Sequence, residues 1–257
     1  PPDFVSKPFS HLESIFDNLT GYTFPKINAP VNAMWYARNF VHEAVEKIEG
    51  IQSDVLQAWS DLLGGQHEKV IELQSKYTDE IHPEIGEAIA WAYISQGNIL
   101  TENIESKIED ADELFKQAGE KYAEAVKIKP DKHEAFYNWG NALDTWARTK
   151  SGSEADELFK QAGEKYAEAV KIKPDKHEAF NNWGIALTAL ARTKSGSEAG
   201  ELFKQAGEKY AEAVQIKPDK DEAFYNWGNA LDGWASTKSG SEADELFKQA
   251  GEKDPEA

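Results

Sequence analysis

An all-α solenoid of tandem helix–turn–helix hairpins is the fold this sequence predicts, on three observations. The stretch ADELFKQAGEKYAEAVKIKPDKHEAFYNWGNALDTWARTKSGSE, Ala111 to Glu154, returns almost verbatim from Ala155 and from Ala199 and restarts at Ala243, a step of 44 residues each time. Repetition on this scale marks an architecture of stacked identical units. Each copy reads as two amphipathic helices around a turn, a pair too small to bury its apolar face except against the next copy. Upstream, Met34, Ala37, Val41, Ala44, Ile48, Ile51, Val55, Ala58 and Leu62 recur at steps of three and four, the spacing of a single helical stripe.

Composition narrows the function classes. A chain of 257 residues with 40% hydrophobic residues is long enough for a sizeable core or for a stack with a core along its spine. Its formal charge of -18 opposes nucleic acid and anionic lipid and favours a neutral or basic partner. The absence of cysteine excludes disulfides, thiolate metal sites and a cysteine nucleophile. No apolar run approaches the roughly 20 residues of a membrane span, so no membrane insertion is expected. The opening Pro1-Pro2-Asp3 is neither a signal peptide nor an initiator methionine, which reads as a processed chain.

In chain order, residues 1–50 read as an N-terminal helical region: a short helix over Phe9 to Asn18, then a loop carrying Gly21, Pro25 and Pro30. Asn18-Leu19-Thr20 fits a glycosylation sequon. Trp35, Phe40, Val45, Leu56, Trp59 and Leu63 widen the following stripe beyond a coiled-coil seam, and Gly50 is the expected break, since glycine inside a helix costs about 1 kcal/mol. Residues 51–83 read as a degenerate repeat hairpin. Gly65 precedes a helix with Val70, Ile71 and Tyr77 on one side, closed by Pro83, and its partner is the helix over Val55 to Leu62. The repeats proper occupy 84–257, in copies of about 84–131, 132–175, 176–219 and 220–257.

Within a copy the sequence EAFYNWGNAL, Glu134 to Leu143, followed by AGEKYAEAVKIKP, Ala162 to Pro174, resembles the tetratricopeptide repeat family. That family's first helix carries an aromatic, then a large apolar residue followed by glycine, then another large residue. Its second carries alanine, aromatic, alanine and a terminal proline. Phe136, Trp139, Gly140 and Leu143, then Ala162, Tyr166, Ala169 and Pro174 fill these positions. They recur as Phe180, Trp183, Gly184, Leu187, Ala206, Tyr210, Ala213 and Pro218, and more loosely as Tyr93, Gln96, Gly97, Leu100, Ala118, Tyr122, Ala125 and Pro130. The resemblance implies a right-handed α-solenoid over about two thirds of the chain.

The family's usual unit has about 34 residues, so each copy carries roughly ten extra, between Leu143 and Ala162. Trp146 continues the first helix and Lys150-Ser151-Gly152 makes the turn. Ser153 and Asp156 resemble a capping box, which should weaken where Asp156 becomes Gly200. Both helices lengthen, the second to about 30 Å over Glu154 to Lys173, burying Trp146 and Phe159 at one rim. Gly119, Gly163 and Gly207 sit inside second helices, where glycine is unfavourable unless a neighbour approaches closely. The last copy's second helix lacks the apolar half of the others.

No catalytic constellation is present: no GxSxG, no P-loop, no Rossmann fingerprint and no HExxH. His133 and His177 share one repeat position, replaced by Asp221 in the next copy, and read as surface residues. No metal, no cofactor and no enzyme activity are expected.

Comparison of the copies points to an interaction face. Between the copies starting at Ala111 and Ala155, Tyr137 becomes Asn181, Asn141 becomes Ile185, Asp144 becomes Thr188, Thr145 becomes Ala189 and Trp146 becomes Leu190. All five changes fall on the first helix. In the tetratricopeptide family such positions line a concave groove for peptides or partner helices. By that resemblance the groove presents Tyr137, Asn138, Asn141 and Asp144, then Asn181, Asn182, Ile185 and Thr188, then Tyr225, Asn226, Asn229 and Asp232. Asparagine amides suit an extended peptide backbone, tyrosines add flat contact area, and a scarcity of basic residues disfavours an acidic tail. The expected function is a noncatalytic scaffold that binds a protein or peptide. The alternatives are self-association, through the C-terminal copy or the N-terminal helices, and service as the regulatory arm of a larger enzyme complex.

Overall fold

The computed structural model describes residues 50–77, 81–104, 110–219 and 221–253, and the regular structure among them is helical, with no strand. The Phe9–Asn18 helix, the Asn18 sequon and the apolar stripe before Gly50 lie outside the described residues. The order is α1 Ile51–Leu63, α2 His67–Lys76, α3 Pro83–Glu102, α4 Ala111–Ile128, α5 His133–Arg148, α6 Gly152–Ile172, α7 His177–Arg192, α8 Gly196–Ile216, α9 Asp221–Ala235 and α10 Ser241–Lys253. Packing divides these residues into two units. The first holds α1, α2, α3 and residues 120–130, the second residues 110–119 with α5 to α10.

In the first unit Gly50 caps α1 at φ 77°, the break expected there. The apolar stripe of α1 buries Val55, Leu56, Ala58, Trp59 and Leu62, and α1 packs on both α2 and α3. Pro83 does not close α2, which ends at Lys76; it is the first residue of α3, where its missing N–H would be unsatisfied anyway. Asp54 joins the hairpin ends by accepting hydrogen bonds from Lys76 Nζ at 2.6 Å and from the Tyr77 hydroxyl. Burial raises the Asp54 carboxyl, but these bonds outweigh it and hold the group below its ordinary value. Burial and Asp54 together push the Tyr77 hydroxyl up to about 12. A methyl group at Gly97 would stand 2.6 Å from the Tyr122 ring, so glycine there is what allows the ring to pack.

The second unit repeats that device. Methyl groups at Gly140 and Gly184 would stand 2.6 and 2.7 Å from the rings of Tyr166 and Tyr210, both rings being buried between the helices of their own hairpin. Around them Leu143, Ala155, Phe159, Ala162 and Ala169 form one core cluster, and Ala199, Phe203, Ala206 and Ala230 form the next. The glycines within second helices also serve close approach. Methyl groups at Gly119, Gly163 and Gly207 would stand 3.3, 3.1 and 3.3 Å from the indole nitrogens of Trp139, Trp183 and Trp227. Lys165 and Lys209 cover the Trp139 and Trp183 rings at 4.0 and 4.1 Å from the centroids.

The added turns lengthen both helices: α5 has 16 residues and α6 has 21, so α6 is about 31 Å long. Phe159 is buried. Trp146 is half-buried, with its ring stacked on Phe115 at 5.7 Å.

Ser153 and Asp156 do not form the expected capping box. Gly152, at φ 61°, turns the chain directly into α6 behind Ser151, whose side chain makes no capping bond. Asp156 then lies beyond the first turn, out of reach of the unpaired N–H groups. It reaches α7's end instead, accepting from Thr193 Oγ1 at 2.6 Å and from Lys194 Nζ. One copy earlier Asp112 accepts from Trp146 Nε1 at 2.8 Å and from Lys150 Nζ at 2.5 Å. What Gly200 forfeits is therefore this inter-hairpin bond rather than a cap. In the last hairpin Leu231, Ala235, Leu246 and Ala250 close α9 on α10, while Phe247 stays 49% exposed, against 3%, 7% and 4% for its equivalents Phe115, Phe159 and Phe203.

Candidate functional site

The first helices α5, α7 and α9 neighbour one another in order, so equivalent residues recur across one face. Their side chains fall into three groups by what they touch.

A set of amides bridges the helices. Asn182 Nδ2 donates to Asn141 Oδ1 at 2.9 Å and to the Tyr137 hydroxyl at 3.2 Å. Asn226 Nδ2 donates to Asn181 Oδ1 at 3.2 Å. Asn141 Oδ1 also accepts from the Tyr166 hydroxyl at 2.9 Å. Asn141, Asn181, Asn182 and Asn226 thus hold one helix to the next, and the bonds that do so are made inside the protein rather than offered to a peptide backbone.

A second group is interior. Asn181 and Thr188 are 7% and 6% exposed, so they do not present themselves to solvent as the groove reading expects. Thr188 Oγ1 donates to Gly184 O at 2.8 Å and lies 3.3 Å from the Tyr210 hydroxyl. Ile185 is half-buried against the core cluster around Phe203. Tyr137 is half-buried, with Lys176 Nζ 4.6 Å from its ring centroid, and burial raises its hydroxyl.

The third group remains outward. Tyr225 is 61% exposed, Asp232 is exposed, and Asn138 and Asn229 are half-buried. Asp144 is neutralised within its own helix: its carboxylate accepts from Arg148 Nε at 2.8 Å and Nη2 at 3.2 Å. The bond to Asp144 raises the Arg148 guanidinium above its ordinary value. The residues missed by the sequence reading are Lys176 and the arginines one turn beyond Asp144 and Thr188, Arg148 and Arg192. The i,i+4 spacing of Asp144 and Arg148 was the signal that could have found the latter.

Arranged this way, the face can bind without bond chemistry. Among the described residues no group of three or more His, Asp or Glu side chains is placed to hold a metal ion, and no helix is long and apolar enough to cross a membrane.

The family model described as plant-specific mitochondrial import receptor subunit TOM20 matches the chain twice, over residues 94–181 and 171–256. Among solved structures, the Arabidopsis OM64 TPR domain is 17% identical, with a TM-score of 0.37, over 54% of this chain and 96% of its own. MamA is 15% identical with a TM-score of 0.47, over 88% of this chain and 96% of its own. A MamA from Desulfovibrio magneticus RS-1 is 14% identical with a TM-score of 0.41, over 84% and 94%. No curated protein sequence matches the chain.

Proposed function

Because the chain belongs to the tetratricopeptide repeat family described as plant-specific mitochondrial import receptor subunit TOM20, we propose that it is a noncatalytic interaction scaffold that binds a segment of a protein partner along α5, α7 and α9. One observation carries the placement: amide bridges hold the first helices in fixed register while Tyr225 stands 61% exposed among them. A preformed face ordered before its ligand arrives avoids the entropy of ordering it on binding, and an exposed tyrosine supplies flat amphipathic area at low rotamer cost. The family's description suggests the partner class, a protein destined for mitochondrial import. The chain's charge of -18 supports a neutral or basic segment.

Asn182 and Asn226 bridge helices, so replacing them would confound binding with stability. The test is therefore Tyr225→Ala with Asn229→Ala, titrated with mitochondrial precursor proteins by calorimetry. An interface aromatic is worth about 2 kcal/mol or more, so affinity should fall by roughly 30-fold with unchanged helicity; undiminished affinity would remove the groove from the account. Phe247, exposed on α10 where its equivalents are buried, supports a second reading, self-association through that helix. A strict monomer in light scattering at high concentration sinks it.

A further inference from the structure

The i,i+4 positions that pair in α5 are split in the two copies that follow. Asp144 and Arg148 satisfy each other and offer a ligand no free charge. In α7 Thr188 stands in the acid's place, buried against Tyr210, so the exposed Arg192 has no carboxylate one turn back in its own helix to pair with. In α9 the change falls on the other partner: Asp232 is present but Ser236 stands where the arginine would be, and the serine hydroxyl bonds the Asp232 carbonyl at 2.9 Å. Two independent substitutions have thus left one unpaired cation and one unpaired anion on adjacent helices of one face.

We propose that this face reads a mixed-charge segment in one register, a ligand carboxylate meeting Arg192 on α7 and a ligand lysine or arginine meeting Asp232 on α9. The inference rests on the groove reading above and adds the ligand's charge pattern. With first helices about 8–10 Å apart and a rise of about 1.5 Å per residue, Arg192 and Asp232 are separated by roughly 11 Å. That spans about three residues of an extended ligand, at about 3.3 Å each, or about seven of a helical one. A guanidinium favours a planar carboxylate through two parallel hydrogen bonds, while the excess negative charge of the whole chain draws in the basic end. The self-paired Asp144 and Arg148 leave the α5 end of the face without charge preference.

A random 12-residue phage-displayed peptide library is the probe, selected in parallel on wild-type protein and on Arg192→Gln, Asp232→Asn and Tyr225→Ala. Peptides kept by wild type should be enriched in sequences carrying both an acidic and a basic residue. Arg192→Gln should lose the acidic enrichment alone, and Asp232→Asn the basic enrichment alone. For a selected peptide, replacing its acid by glutamine should weaken binding about two- to five-fold to wild type, the worth of an exposed ion pair, and not at all to Arg192→Gln. Peptides that bind wild type with the same composition in both charge variants overturn this proposal but not the groove. Selection that enriches nothing over Tyr225→Ala overturns both.

Discussion

A buried tyrosine hydroxyl needs a hydrogen-bond partner, and the second-helix tyrosines meet that need in two ways. Tyr122 and Tyr166 donate to Asn98 and Asn141. In the next copy Ile185 replaces that asparagine, and Tyr210 pairs with Thr188, which stands in place of Asp144. Two of the five changes that drew attention to the groove are therefore one coupled exchange around a core hydroxyl. A third, Trp146 to Leu190, removes an indole N–H and frees Asp156 for Thr193. The last copy restores the tryptophan but not its acceptor: Trp234 Nε1 is buried without a hydrogen bond, and a methyl group at Gly200 would stand 3.4 Å from it. Gly200→Asp should supply the missing acceptor and remove a helical glycine. A gain of about 1 kcal/mol is expected for the bond, raising the melting temperature by about 2–4 °C in a thermal scan followed by circular dichroism. The same substitution with Trp234→Phe should gain less.

Between elements, Asp112 and Asp156 each tie a second helix to the end of the next first helix. The bond from Lys194, followed by that from Thr193, holds the Asp156 carboxyl below its ordinary value, and Asp156 in turn raises Lys194. A depressed carboxylate contributes stability that is present above its unfolded value, about 4, and is lost as pH falls through the folded one. Asp156→Asn should therefore melt below wild type at pH 7, and the two curves should converge on acidification below about pH 4. Curves that stay equally far apart at pH 2.5 would show that the charge is not what Asp156 contributes. The hairpins themselves were legible in the sequence, because a glycine opposite an aromatic ring is a local and repeated necessity. The aspartate tie was not, because Ser153 and Asp156 have capping-box spacing and only the helix start at Gly152 decides that the side chain turns outward. The groove was legible as the variable face, but not its division into bridging, buried and outward residues, since an asparagine looks the same whether its amide meets a neighbouring helix or a ligand.

At the scale of the whole chain, tyrosines sample both packing units: Tyr122 lies in the first, Tyr166 and Tyr210 in the second. Burial is the leading cause that lifts all three hydroxyls far above the ordinary tyrosine value, because a phenolate would lose its hydration in an apolar interior. A folded value raised above the unfolded one means that the neutral form is what the fold stabilises. That contribution is complete below about pH 10 and is lost as pH rises through the folded value. Between those two values each such group withdraws about 1.4 kcal/mol per pH unit, roughly 4 kcal/mol per unit for three together. In an alkaline titration these three should therefore ionise only with the loss of helicity, so that their phenolate absorbance and the change in circular dichroism share one transition. Phenylalanine at 166 and 210 should remove two chromophores from that transition and shift the unfolding midpoint to higher pH. Complete ionisation of every tyrosine with native helicity intact would mean that these rings are not sealed by the glycines opposite them.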